Sequence, residues 1–94
     1  MLVRIVRMEF ITTDIEAFML LFEKAKPTIL KQVGCHAVIL YRDSQQPEVF
    51  YTHSLWENEK ALNAYRDSDF FSETWANTKK LFSGKPQAFS LIEP

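Results

Sequence analysis

The chain has 94 residues, 47% of them hydrophobic and 14% aromatic, and its 11 basic and 12 acidic residues leave a net charge of −1. That length makes one domain, spanning 1–94, and the balanced charge, with no basic stripe, argues against a nucleic-acid footprint or a polybasic membrane anchor. The longest apolar run, residues 17–22, is far too short to span a bilayer.

The opening MLVRIVRMEF alternates apolar and charged residues and lacks the unbroken core of a signal peptide. A single cysteine, Cys35, allows no disulfide within the chain, which fits a reduced, cytoplasmic setting. The apolar content is high for a domain this small. A second buried surface is the simplest outlet for it, and a homodimer is the commonest way to make one.

Residues 3–11 predict a strand, with Val6, Met8 and Phe10 on one face and Val3, Ile5 and Ile11 on the other beside Arg7 and Glu9. Thr13 and Glu16 have the spacing of a capping box. The helix after them repeats at Ile15, Phe18, Met19, Phe22, Ala25, Ile29, Leu30 and Val33. Pro27 inside it predicts a kink, and Gly34 a stop. Residues 35–43 and 48–57 predict two strands, joined by the polar loop 44–47 that ends in Pro47. Asn58 is a plausible N-cap for a short helix over 59–67. Ser68 or Asp69 caps another that runs to about Phe82, with Phe71, Trp75, Thr78 and Phe82 as its buried stripe. Gly84 and Pro86 break it, and residues 87–92 alternate as a last strand.

This order is βαββαβ with the second helix broken in two. It predicts an α+β, ferredoxin-like fold with a four-stranded antiparallel sheet and helices on one face. The other sheet face carries too many large residues for open water, and is expected to pack against a second copy.

The stretch VFYTHSLWENEKALNAYRDSDFF, residues 49–71, resembles the hallmark of the antibiotic biosynthesis monooxygenase family. A strand ends in Trp56-Glu57, a helix opens with a polar cap and Glu-x-Ala-Leu, and Ser68 and Phe71 begin the next helix. The Gly34-Cys35 turn and the closing run from Lys79 to Pro86 are similar too. The resemblance implies a dimeric α+β barrel in which two sheets meet. It also implies oxidation of a small aromatic phenol or quinol by O2 with no cofactor, neither metal nor flavin. A phenol that has lost its proton can pass an electron to O2 unaided. The protein then has to provide an apolar pocket, a proton acceptor and a donor for the anion.

His53 is the candidate general base and Tyr65 the candidate donor to an anionic oxygen. If residue 38 pairs with residue 53, His36 and His53 become diagonal neighbours on one face, and a one-residue change of register breaks this. The bland alternative is that His53 is a hydrogen-bonded sheet or interface residue. A two-histidine metal site lacks a third ligand nearby. Tyr51, Trp56, Phe71, Trp75 and Phe82 are the candidate substrate-binding residues, with ordinary core packing as the competing account, and Trp56 reads as mainly structural. Residues 66–69 read as caps and solvated charges, although Arg66 could steer an acidic substrate. Arg4 and Arg7 are expected at solvent or a dimer rim, and Cys35 as a buried small residue.

A related branch degrades haem, and resemblance to it implies an Asn, a Trp and an iron-ligating His where this chain has Met8, Tyr65 and Trp75. That route is disfavoured because the axial ligand is missing. Two other classes stay open: a module that binds an apolar small molecule without turning it over, and a domain whose dimer is its main product.

Overall fold

The computed structural model describes residues 1–94. In chain order the elements are β1 (Leu2–Glu9), a 3₁₀ turn (Thr12–Asp14), α1 (Ile15–Leu30), β2 (Cys35–Arg42), β3 (Val49–Trp56), α2 (Glu59–Arg66), α3 (Asp69–Lys79) and β4 (Gln87–Leu91). The strands form one antiparallel sheet in the order β2-β3-β1-β4. This is the four-stranded α+β, ferredoxin-like architecture that the order of elements predicts.

Alternation along the strands decides the two faces. Met8 and Phe10 on the first segment, and Phe50, Ser54 and Trp56 on β3, turn towards the helices and are buried. From the helices, Ile15, Phe18, Phe22, Ala25 and Ile29 of α1 and Leu62 of α2 close over them. Phe10 is the hub: its ring stacks on Phe18 at 4.0 Å and meets Phe50 and Phe82 at 5.8 and 5.3 Å.

The stripe on α1 is narrower than its spacing suggests. Met19 and Leu30 are more than two-fifths exposed, and Val33 is 90% exposed because it lies beyond the helix end. The Thr13–Glu16 capping box does not form. The chain coils into the 3₁₀ turn first, where the Asp14 N–H donates to the Ile11 carbonyl at 2.8 Å, and α1 starts without a side-chain cap. The caps of the two short helices do form. Asn58 accepts from the Ala61 N–H at 2.9 Å, and Ser68 from the Phe71 N–H at 3.1 Å.

Gly34 ends the loop after α1 with φ +82°, in the left-handed region that side chains disfavour. A Cβ there would also lie 2.6 Å from the Cβ of Ala61 on α2. The close approach lets the Gly34 carbonyl accept from the Glu57 N–H at 2.8 Å and seats α2 against the β2 start. Gly34→Ala should therefore lower stability by about 1–3 kcal/mol, through strain and the displaced helix. Urea denaturation of the two proteins checks this, and equal midpoints would refute it.

Candidate functional site

A cavity of about 290 Å³ lies between the inner sheet face and the helices. Its existence follows from side-chain size. Thr52, Ser54 and Ala88 are small where neighbouring floor positions carry Met8 and Trp56, so the sheet and helices do not close fully. The volume is at the small end of ligand pockets, which run from roughly 300 to 1,000 Å³.

The wall is a chain of aromatic rings. Trp56 stacks on Tyr65 at 5.0 Å, Tyr65 meets Phe71 edge-on at 5.1 Å, and Phe71 stacks on Trp75 at 5.9 Å. Trp75 meets Phe82 at 5.6 Å. The turn between the short helices holds this geometry. The Ser68 hydroxyl donates to the Tyr65 carbonyl at 2.6 Å while accepting from Phe71, tying the two ring-bearing residues together. Trp56 is almost wholly buried and its indole N–H donates to the Ser54 Oγ at 2.9 Å, so its orientation is locked.

Of the residues singled out in the sequence, Trp56, Tyr65, Phe71 and Trp75 all line the cavity. Phe82 stands one layer back, bracing Trp75 against Phe10. His53 and Tyr51 do not reach it. β2 pairs Ile39 with His53 and Val38 with Ser54, one residue away from the register that would have joined the histidines. His53 therefore points to the outer face, in the cross-strand row Ile39–His53–Ile5–Phe89. His53 and Tyr65 lie on opposite sides of the sheet and cannot serve one substrate within a single protomer. His36 is the unpaired residue of a bulge between Cys35 and Ala37, and its Nε2 lies 2.6 Å from the Glu57 carboxylate in solvent. No three His, Cys, Asp or Glu side chains cluster closely enough to hold a metal ion, and the cavity offers no histidine to a haem iron.

Two charged residues complete the lining: Arg66, which the sequence offers as able to steer an acidic substrate, and Arg4, which was expected at solvent or a dimer rim. Arg4 and Arg66 are the only charged side chains on the cavity, and no Asp or Glu faces it. Arg4 shares strand parity with Val6 and Met8, so the alternation already placed it inward rather than at a rim. Its guanidinium donates to the Ser90 Oγ at 2.9 Å. Burial, and then the positive charge of Arg66, lower its pKa from the usual arginine value.

Burial, reinforced by Cys35, pushes the Tyr65 phenol up from 10.0 to about 12. The hydroxyl is thus protonated at neutral pH and is a donor, not a base. The same shift makes the folded state hold its proton where the unfolded state releases it. Tyr65 supports stability below about pH 10, and that support is lost as the pH rises towards about 12. Tyr65→Phe should remove this part of the alkaline destabilisation, which thermal melts between pH 9 and 12 can read. Identical pH dependence in both proteins would contradict the assignment.

A family model described as antibiotic biosynthesis monooxygenase matches residues 1–77, and the chain belongs to that family. Solved structures agree on the fold. A conserved protein from Methanosarcina mazei Go1 is 20% identical, with a TM-score of 0.93 over 99% of this chain and 93% of that one. A protein solved as an antibiotic biosynthesis monooxygenase is 16% identical, with a TM-score of 0.92 over 100% and 99%. A Mycobacterium tuberculosis protein is also 16% identical, with a TM-score of 0.90 over 99% and 94%. At these identities the likeness is one of fold. No protein of curated function matches the chain in sequence.

Proposed function

We propose that the protein is a cofactor-independent monooxygenase that oxidises a small aromatic phenol or quinol with O2 in the cavity of Trp56, Tyr65, Phe71 and Trp75. One observation carries the reading: a small apolar cavity walled by aromatic rings contains a phenolic O–H that makes no hydrogen bond within the chain. Family membership supports an oxygenase, and a similar fold has been solved under that name.

The substrate anion passes one electron to O2, giving a phenoxyl radical and superoxide. These join at a ring carbon to form a hydroperoxide. Loss of water leaves the quinone, so one phenol and one O2 become one quinone and one water. The chain's part is to stack the ring, exclude bulk water and donate the Tyr65 O–H to the substrate oxygen as negative charge gathers there. No carboxylate or imidazole lines the cavity to take the phenol proton. A substrate that is already partly ionised in solution meets that condition.

An oxygen electrode with a dihydroxynaphthalene in metal-free buffer tests this. Uptake should exceed buffer autoxidation. Tyr65→Phe should lower kcat by about a hundredfold, as expected for loss of one anion-stabilising donor. Trp75→Leu should raise KM. The missing proton acceptor favours a second reading, a binding module. Aromatic ligands that raise the melting temperature without any O2 uptake would establish that reading and overturn the first.

The proposed assembly is a homodimer joined through the outer sheet face. On that face Ile39, Tyr41, Phe89 and Leu91 are 40–53% exposed, and no element of the chain covers them. At its centre lies His53, whose Nδ1 is buried within the chain itself and has no hydrogen-bond partner there. Sedimentation should show a dimer for the wild type and a monomer for Ile39→Glu, since an unpaired charge in an apolar interface is strongly unfavourable. A monomeric wild type would refute the dimer.

A further inference from the structure

The aromatic cavity has a charged edge that an aromatic substrate alone does not account for. Arg4 on β1 and Arg66 at the end of α2 line the same cavity and carry the same charge. Neither forms an ion pair. The chain's two such pairs are Arg7–Glu9 and His36–Glu57, both elsewhere. With a net charge of −1, the pair is not a sample of a generally basic surface.

The ordinary roles of these residues explain only part of this. A cation in the last turn of a helix interacts favourably with the free carbonyls, which is sufficient for Arg66. It does not explain Arg4, which sits mid-strand on the inward face, partly out of water, beside a like charge. Two neighbouring guanidiniums in a partly desolvated site repel each other, and no carboxylate of this chain relieves them. Arg4 uses one nitrogen on the Ser90 hydroxyl, which fixes the head group across β1 and β4 and leaves its other N–H donors free. Arg66 is exposed, so this edge of the cavity meets solvent.

We infer that the cavity takes an aromatic acid, its ring held among Trp56, Tyr65, Phe71 and Trp75 and its carboxylate held by Arg4 and Arg66. The inference rests on the ligand-cavity reading above and adds the substrate's second functional group. A carboxylate accepts two parallel N–H bonds from a guanidinium, and it stays ionised throughout the neutral range where a phenol is mostly protonated. The acid fixes orientation: with its charge at the arginine edge, the ring's far side lies deeper among the aromatic side chains. Thr52 and Thr74 also line the cavity and carry hydroxyls for further polar contacts.

The test is calorimetric titration at pH 7 and low salt with 2-naphthoate and its neutral counterpart, 2-naphthamide. The wild type should bind the acid at least about tenfold more tightly than the amide. Arg4→Gln and Arg66→Gln should each weaken the acid by about tenfold, the loss of one charge-assisted contact. Both should weaken the amide much less than the acid, because a neutral carbonyl accepts a weaker bond than a carboxylate, and the retained amide binding also shows that the cavity is intact. Arg4→Lys should keep most of the preference, separating charge from packing. Equal binding of acid and amide by the wild type would overturn the inference while leaving the aromatic cavity reading in place. So would an acid preference that survives both glutamine variants. Failure of both ligands to bind would remove the cavity reading, and this inference with it.

Discussion

A β-strand sends successive side chains to opposite faces, and this chain has one layer of helices to cover two apolar faces. Everything else in the molecule is arranged around that mismatch. Phe10, Phe50 and Trp56 take the covered side with α1 and α2 above them, while Ile5, Ile39 and Phe89 take the other side with nothing over them. The parity of a single residue decides its chemistry. Arg4 turns inward to the cavity, whereas His53, in the adjacent strand, turns outward.

The cavity is a second consequence of limited material. A continuous second helix would lie flat on the sheet. Here the chain stops at Arg66, turns on the Ser68 hydroxyl and restarts at Asp69, so two short helices roof a floor of small residues. The same turn brings Tyr65, Arg66 and Phe71 to one place. A phenol donor, a guanidinium and an apolar ring thus share a wall although no one helix face could present all three.

Much of this was legible in the chain. Strand alternation and the caps at Asn58 and Ser68 are local properties, because a side-chain oxygen needs only the next turn to find its N–H partner. They predicted the elements to within a few residues. The Thr13–Glu16 spacing misled because a 3₁₀ turn satisfied the same segment another way, and Val33 misled because periodicity does not show where a helix stops. Trp56, Tyr65, Phe71 and Trp75 were identifiable as a group because Trp56 ends the strand that the two short helices carrying the other three must cover. Phe82 was expected on the same stripe, but α3 ends at Lys79 and its ring sits behind Trp75.

What could not be read was register. The hairpin between β2 and β3 could close with 38 or 39 opposite 53, and local sequence preference does not choose between them. That choice separates His36 from His53 and puts His53 on the outer face. The sequence by itself determined the elements, their order and the apolar load on both sides of the sheet, since those depend on neighbours a few residues apart. Only the tertiary structure decided which side chains face one another across strands and helices, because the cavity, the Arg4–Arg66 edge and the stranded Nδ1 of His53 arise from residues brought together over most of the chain's length.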